Sequence, residues 1–540
     1  MSKSETPNSP ASPQPDPVLE VRLQLDFDIN AALEKADAVE RIRSLIQTTL
    51  EQLCAGLGVP GRVDFRIASA PAGNSDENRF FGLEIGGRVA NYCTVTLLNL
   101  RQLLDQHGSF SPEREAIKAW LLARIDTVAT RYLQLVCLHV ASENASLLLG
   151  PVQFDCYYAE LLGRGASPEI LSSASEVLRD LLRLGVSLRD TAAVAQAFAG
   201  SSAGRDDIRE NLLNRLIRNT IEIRMPERYL EELTSGTENW AEDFKLLGET
   251  IFAERGLPRP TFVFAIDETM YSRSFQFRVN DLYTAPLAGL GPNECLVNDS
   301  ASRVRQFRFH ARPANHPTTG VPYAIVDMTH RTALEWLTTW NARGYLVFCI
   351  AELMRRKGYC LISSEQTKRL LDSLKTQCPA IAGYIRDLFP PHTITRIFRE
   401  LAEEGVSLRN MRKVCECLAA AAADPDPVAR LRAGMARELT SQISRSSGVA
   451  VVYLLDKPIV DVLSSDEDLP EDSADRVRKA IRSELQQLPA TASSPALLTP
   501  PDLRRRLRAL TSIEFPNTPV VTYAELAHDL SVQPVGRITF

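Results

Sequence analysis

Between residues 171 and 190 the apolar side chains return at helical spacing. Ala174, Val177, Leu178, Leu181 and Leu182 fall at i, i+3, i+4, i+7 and i+8, which predicts an amphipathic helix with one stripe facing a core. The same stripe recurs 220 residues later as Ile394, Ile397, Phe398, Leu401 and Ala402, and both stripes run into the same five residues, GVSLR. Gly185 and Gly405 stand where each helix should stop, a position that favours a left-handed residue. Ser187 and Ser407 are then placed to accept hydrogen bonds from the first amides of a following helix, and Arg189 and Arg409 close the phrase. Ser173 and Thr393 are the expected N-caps of the preceding helices. GVSLR therefore reads as a helix stop joined to a helix start, framework and not a site.

The likeness extends beyond the phrase. Upstream, LCAGLGVPGRVDFRI parallels IFAERGLPRPTFVFAI: a helix end at Gly58 or Gly256, a proline two residues on, then an alternating strand. LLLGPVQFDCYYAELL parallels CLISSEQTKRLLDSL, aligning Gln153 with Gln366. Downstream, NTIEIRMPERYLEEL parallels GVAVVYLLDKPIVDVL, each a strand followed by a helix near Pro226 or Pro458. The offset climbs from 198 through 213 to 220, as one unit copied in order with insertions in the later copy would produce. The pattern predicts a disordered Pro/Ser-rich tail over 1–18, a first, shorter unit over 19–233 and a second over 234–465. Over 466–540 it predicts a linker helix, placed at 474–488, and a small α/β subdomain. There ALLTPPDLRRRLRAL reads as a strand and then a helix capped by Thr499, and VVTYAEL as another strand. The expected fold class is α+β, with mixed small α/β subdomains and a helical subdomain, internally duplicated.

Composition narrows the function classes. A chain of 540 residues with a net charge of −6 gives no electrostatic case for nucleic acid. Its ten cysteines are scattered, with no CxxC pair, which suits free thiols in a reducing compartment and places the chain in the cytoplasm. The most apolar runs, such as YLQLVCLHVA, are far shorter than the roughly 20 residues a bilayer span needs. Asp267 and Glu268 follow a strand and are the strongest catalytic look-alike, but neighbours on a strand point to opposite faces. Arg303, Arg305, Arg308 and Arg312 gather with His310 and His316 around Phe307 and Phe309, an alternation that predicts a half-buried strand. Of these, Arg305, Arg308 and Arg312 are the candidate partner-binding residues, because arginine forks suit carboxylates. The two histidines lack metal spacing. Cys415 and Cys417 are expected to pack in a core, and RRRLRAL at 504–510 is expected to be a solvated or partner-binding basic face. No phosphate-loop, dinucleotide or nucleophile-elbow motif occurs, so no catalytic, cofactor-binding or metal residue is expected and no cofactor is implied.

From about 316 to 540 the chain resembles the cytoplasmic domain of the FHIPEP family, the flagellar and virulence type III export-gate proteins. The resemblance rests on GVPYAIVDMTHRTALEWLTTWNARGYLVF, ISSEQTKRLLDSL, TITRIFRELAEEGVSLRNMRKVCECLA, ALLTPPDLRRRLRAL, VVTYAEL and VQPVGRI, in order. It marks Gly185, Ser187, Arg189, Gly405, Ser407, Arg409, Thr499, Tyr523, Gln533, Pro534, Gly536 and Arg537 as family framework. It implies a non-enzymatic, ring-forming module that docks export chaperones, substrates and other export components. Family members also carry a membrane half of several helices, and no run here is suited to that role. The expected function is thus a protein-binding platform or assembly factor of a type III export apparatus, in the cytoplasm and peripheral at the inner-membrane face. Its expected partners are those export proteins, a homo-oligomeric ring or a membrane-anchored gate. The alternative is an oligomeric scaffold derived from that domain with no secretion client.

Overall fold

The computed structural model describes residues 17–69, 81–105, 114–125, 127–165, 171–199, 204–235, 239–327, 329, 336–444, 448–465, 469–486 and 495–540. One opening occurs three times along the chain. Strand β1 (Val18–Leu25) is followed by helices Phe27–Lys35 and Val39–Leu57 and by β2 (Arg62–Ser69), which pairs parallel to β1. Together with β3 (Phe81–Ile85) and β4 (Arg88–Val89) they form a sheet of order β2-β1-β3-β4, with β3 antiparallel to both β1 and β4. Strand β5 (Thr220–Met225) leads through helices Glu227–Thr234 and Trp240–Arg255 to β6 (Thr261–Ile266), again parallel. With β7 (Ser274–Val279) and β8 (Leu282–Tyr283) the order β6-β5-β7-β8 repeats the first sheet in sequence and sense.

A parallel pair requires a crossover long enough to return the chain to the same edge, and two helices supply it each time. Alternation does the rest: Leu19, Val21, Leu23 and Leu25 are buried on one face of β1, and Ile221, Ile223 and Met225 on one face of β5.

The second module then inserts β9 (Leu287–Ala288), which pairs with β7, and a small antiparallel sheet. That sheet holds β10 (Glu294–Val297), β11 (Ala311–Asn315), β12 (Pro322–Asp327) and β13 (Thr339–Asn341) in the order β11-β12-β10-β13. The third opening is β14 (Val449–Leu455), helices Lys457–Leu463 and Glu471–Gln486, and β15 (Ala496–Leu498). It closes differently: β16 (Val520–Val521) and β17 (Ser531–Ile538) complete a parallel sheet of order β16-β15-β14-β17.

This topology moves both expected boundaries. The strand at 220–225 was expected to close the first unit and the strand at 449–455 to close the second. Each pairs instead with later strands, so the modules begin at β5 and β14, not at 234 and 466. The two segments look alike because both are openings. The described part of the expected tail is also short, since Val18 already pairs with Arg62, and residues 1–16 lie outside the described residues.

Helices follow each of the first two sheets in matching order. Val128–Glu143, Pro151–Gly163, Leu171–Arg183 and Thr191–Phe198 correspond to Ala342–Lys357, Ser364–Gln377, Pro391–Glu403 and Met411–Ala420. Even a buried detail repeats: Arg179 donates to the Leu149 carbonyl (3.2 Å), and Arg399 to the Ile362 carbonyl (2.8 Å). One continuous hydrophobic core runs from Leu19 to Leu439, through the first two modules, while the end module has separate clusters around Ile459 and Ala450.

The GVSLR turns have the expected glycine stop, with φ of +75° at both Gly185 and Gly405. Their serines do something different from helix capping. Asp190 and Asn410 cap the next helices, accepting from the amides of Ala193 and Lys413. Ser187 and Ser407 accept only from the amides two residues on, at Arg189 and Arg409. Their hydroxyls donate to the carbonyls of Gly56 and Glu254, tying each turn to the end of its own module's earlier helix. The preceding helices start before the expected caps, at Leu171 and Pro391, which leaves Ser173 and Thr393 inside.

Candidate functional site

The two GVSLR turns lie on one cleft. A cavity of about 890 Å³ between the first, second and end modules is lined by both Gly185 and Gly405. Its walls follow from how the modules join. Arg183, at the end of the helix before the first turn, pairs with Glu403 (2.6 Å), which stands 220 residues later at the same place in the second module. The β7–β8 turn of the second module reaches the first phrase: the Asp281 amide donates to the Gly185 carbonyl, and its carboxylate accepts from the Ser187 amide (2.9 Å). Asn280, at φ +57°, donates to the carbonyls of Leu184 and Cys360, one on each module. Behind this seam Glu210 of the first module and Arg399 of the second form a buried two-pronged ion pair at 2.6 and 3.0 Å. The end module is fastened by Arg432, which pairs with Glu404 (2.8 Å) and Glu525 (2.7 Å), and by Arg504, which pairs with Glu404.

The wall nearest the first module carries a second charged seam. Lys357 pairs with Glu143 at 2.8 Å, and His139 lies one helical turn before Glu143. Burial pushes the His139 imidazole down to about 4, with Lys357 and Arg356 adding to it against Glu143. Burial alone would raise Glu143, but Lys357, His139 and Arg356 outweigh it and hold that carboxyl at about 2. Both folded values lie below the ordinary 6.5 and 4.5, so the unfolded chain takes up more protons as the solution is acidified. The stability due to neutral His139 is full above pH 6.5 and is lost as pH falls through about 4. Glu143 adds its loss lower, below pH 4.5 and through about 2. Urea unfolding should therefore show a fall of about 2–3 kcal/mol through His139 between neutral pH and pH 4. His139→Gln, which cannot titrate, should flatten that slope; an unchanged slope would refute the assignment.

The residues singled out in the sequence are dispersed. Asp267 is held by Arg224 and Thr269, and Glu268 accepts from the Glu227 amide at the start of a helix, so neither faces a shared pocket with His310. The expected strand around Phe307 and Phe309 is a helix, Ala301–Gln306, followed by a turn. Ser300 caps that helix, and Arg308 sits at φ +65° in the turn, which breaks the alternation. Arg305 donates to the Ala311 carbonyl, Arg312 pairs with Glu294, and Arg308 is exposed, so the three do not converge. His316 packs edge-on against Tyr323 and Phe348. Cys415 and Cys417 are buried in the helix Met411–Ala420.

The basic run 504–510 is only partly solvated: Arg505 is exposed, but Arg504 is 2% exposed and Arg508 lines the cleft. Its helix begins at Arg504 after a short turn of 3-10 helix at Pro501–Leu503, so Thr499 does not cap it. The Thr499 amide bonds to the Val521 carbonyl, and its buried hydroxyl makes no hydrogen bond. The helix expected at 474–488 starts earlier, at Glu471. Tyr523 is exposed, while Gln533, Pro534, Gly536 and Arg537 lie on edge strand β17 beside β14. Arg189 and Arg409 are exposed beyond their turns. Arg508 falls in the basic run singled out in the sequence, but Arg88, Arg255 and Arg356 were not legible, since no local pattern links positions so far apart. Among the described residues there is no group of metal-ligating side chains, and no helix long and apolar enough to cross a membrane.

The scaffold is a repeated α+β architecture, closed by inter-module ion pairs around a charged cleft. The FHIPEP family profile matches residues 201–531, more than half of the chain, and the chain belongs to that family. The match covers the second and end modules and starts just ahead of β5. Low calcium response locus protein D of Yersinia pestis is 22% identical over 309 residues, covering 53% of this chain and 43% of that protein. The flagellar biosynthesis protein FlhA of Bacillus subtilis is 26% identical over 238 residues, covering 41% and 35%. The chain thus spans less than half the length of these relatives. Among solved structures, the CdsV protein of Chlamydia pneumoniae shares the fold, with a TM-score of 0.54 at 20% identity over 59% of this chain and 98% of that one.

Proposed function

We propose that this chain is a non-enzymatic docking platform or assembly factor of a type III export apparatus, working in the cytoplasm, at the inner-membrane face. The observation that carries the reading is the family match over the second and end modules, with the second module's sheet topology repeated in the first. On this reading the first module is a shortened, diverged copy of the family domain, and the cleft between the copies is where partners meet the scaffold. A relative of the same fold, CdsV of Chlamydia pneumoniae, has been solved in complex with CdsO (TM-score 0.53, 20% identity, 59% of this chain), which supports docking of a protein partner. The partners proposed are export chaperones, substrates and other export-apparatus proteins.

The test is affinity capture with the full chain as bait and purified export chaperones and apparatus proteins as prey, beside a gate cytoplasmic domain as positive control. Saturable capture of at least one component is expected. Capture by the control and none by this chain would reject the reading.

A further inference from the structure

We propose that the cleft between the two GVSLR turns receives an acidic, partly apolar peptide segment of a protein partner, its carboxylates held by Arg88, Arg255, Arg356 and Arg508. This rests on the docking reading above and names the chemistry of the partner.

The lining is out of charge balance. Ten arginine and lysine side chains face the cavity against six aspartate and glutamate side chains. Each of the six carboxylates already has a cation at 3.1 Å or less. The excess of four falls on Arg88, Arg255, Arg356 and Arg508, which have no carboxylate within 4 Å among the described residues. Two of these lean on carbonyls alone: Arg255 donates to Gly405 and Arg508 to Thr518 (3.3 Å). Burial holds both guanidinium groups below their ordinary value, with Arg355 adding to it at Arg255 and Arg432 at Arg508, against nearby glutamates. Confined like charges of this kind repel one another until an anion enters.

The arrangement suits a peptide and not a point anion. The four arginines stand on three modules: Arg88 in β4, Arg255 and Arg356 at helix ends of the second module, Arg508 in the end module. They share the lining with Leu147, Val279, Leu282, Leu439 and Ile443, and their neighbours differ: Arg255 meets Gly405, Arg508 meets Thr518 and Arg356 acts on Glu143. A volume of about 890 Å³ is the size of a ligand site, and its charged lining interrupted by apolar side chains suits an acidic, partly apolar segment. Arginine forks match carboxylates in geometry. The chain as a whole carries −6, so attraction of an acidic segment is local to this cleft.

The experiment is fluorescence anisotropy of the full chain with a fluorescein-labelled peptide alternating glutamate and leucine, beside its lysine–leucine counterpart. Saturable binding of the acidic peptide that weakens with added salt is expected, with none for the basic one. Arg88→Glu and Arg356→Glu, at an exposed and a half-buried position, should each weaken it about tenfold, and Arg88→Glu should do so with the unfolding midpoint unchanged. Three results would overturn the proposal: no binding of the acidic peptide, equal binding of the basic peptide, or wild-type affinity in the double variant. Displacement of the peptide by equimolar inorganic phosphate would also overturn it, by assigning the cleft to a small anion. Peptide binding without capture of any export component would remove the secretion reading and keep the cleft; capture without peptide binding would do the reverse.

Discussion

Glu210→Ala is expected to lower the unfolding free energy by about 3–5 kcal/mol, the cost of leaving one partner of a buried ion pair behind. Glu210 is 1% exposed and Arg399 5%, and they meet at 2.6 and 3.0 Å across the seam between the first two modules. Arginine cannot shed its proton, so Arg399 would be left charged with only the Ile362 carbonyl in its fork. Two companion variants separate the pair from general packing. The double replacement Glu210→Leu with Arg399→Leu should recover most of the loss, because an apolar pair has no desolvation to offset. Arg179→Leu, at the equivalent position of the first module, should cost only about 1 kcal/mol, since Arg179 holds a carbonyl and no carboxylate. Denaturant unfolding of the full chain measures all three. A loss under about 1 kcal/mol for Glu210→Ala would show that the seam is held by its apolar contacts instead.

The second large effect is at a glycine outside the repeated phrase. Gly256 ends the helix Trp240–Arg255 at φ +68°, and an added Cβ would lie 2.4 Å from the Arg409 amide nitrogen and the Leu408 carbonyl carbon. Both are backbone, so the helix end and the turn would have to separate. That would break the Leu408 amide bond to Arg255 and the Ser407 hydroxyl bond to Glu254. With about 1–2 kcal/mol for left-handed strain and about 1 for each hydrogen bond, Gly256→Ala should cost about 3–4 kcal/mol. Gly405, within the phrase, has nearly the same φ of +75°, but a Cβ there meets only the movable Arg255 guanidinium at 3.3 Å. Gly405→Ala should therefore cost only the strain, about 1–2 kcal/mol. Equal losses at the two glycines would contradict the close-approach account.

That contrast also marks how far the sequence could be read. The stop glycines and the stripes before them were legible because a turn is a local event, settled by a few neighbouring residues. The α+β class and the repeat were legible for the same reason, summed over many such events. Module boundaries were not: TIEIRM reads the same whether it closes one sheet or opens the next, and only its pairing with Thr261–Ile266 decides. Arg504 looked solvated because its carboxylate partners, Glu404 and Glu525, lie 100 residues before it and 21 after it. The helix at Ala301–Gln306 was missed because arginine alternating with phenylalanine mimics a strand, and the break at Arg308 is visible only in its backbone. The cleft was illegible in principle, since its four arginines belong to three modules and to no common period.

The seam at Glu210 and Arg399 has one more consequence, which concerns dilution. Two domains that met through this contact as separate chains would come apart as the protein became scarce. Joined in one chain, they face each other at an effective concentration on the order of millimolar, whatever the copy number in the cell. A contact too weak to hold two free molecules together is then enough to keep the cleft assembled. The covalent connection thereby fixes a one-to-one ratio of the two halves that separate expression would have to balance.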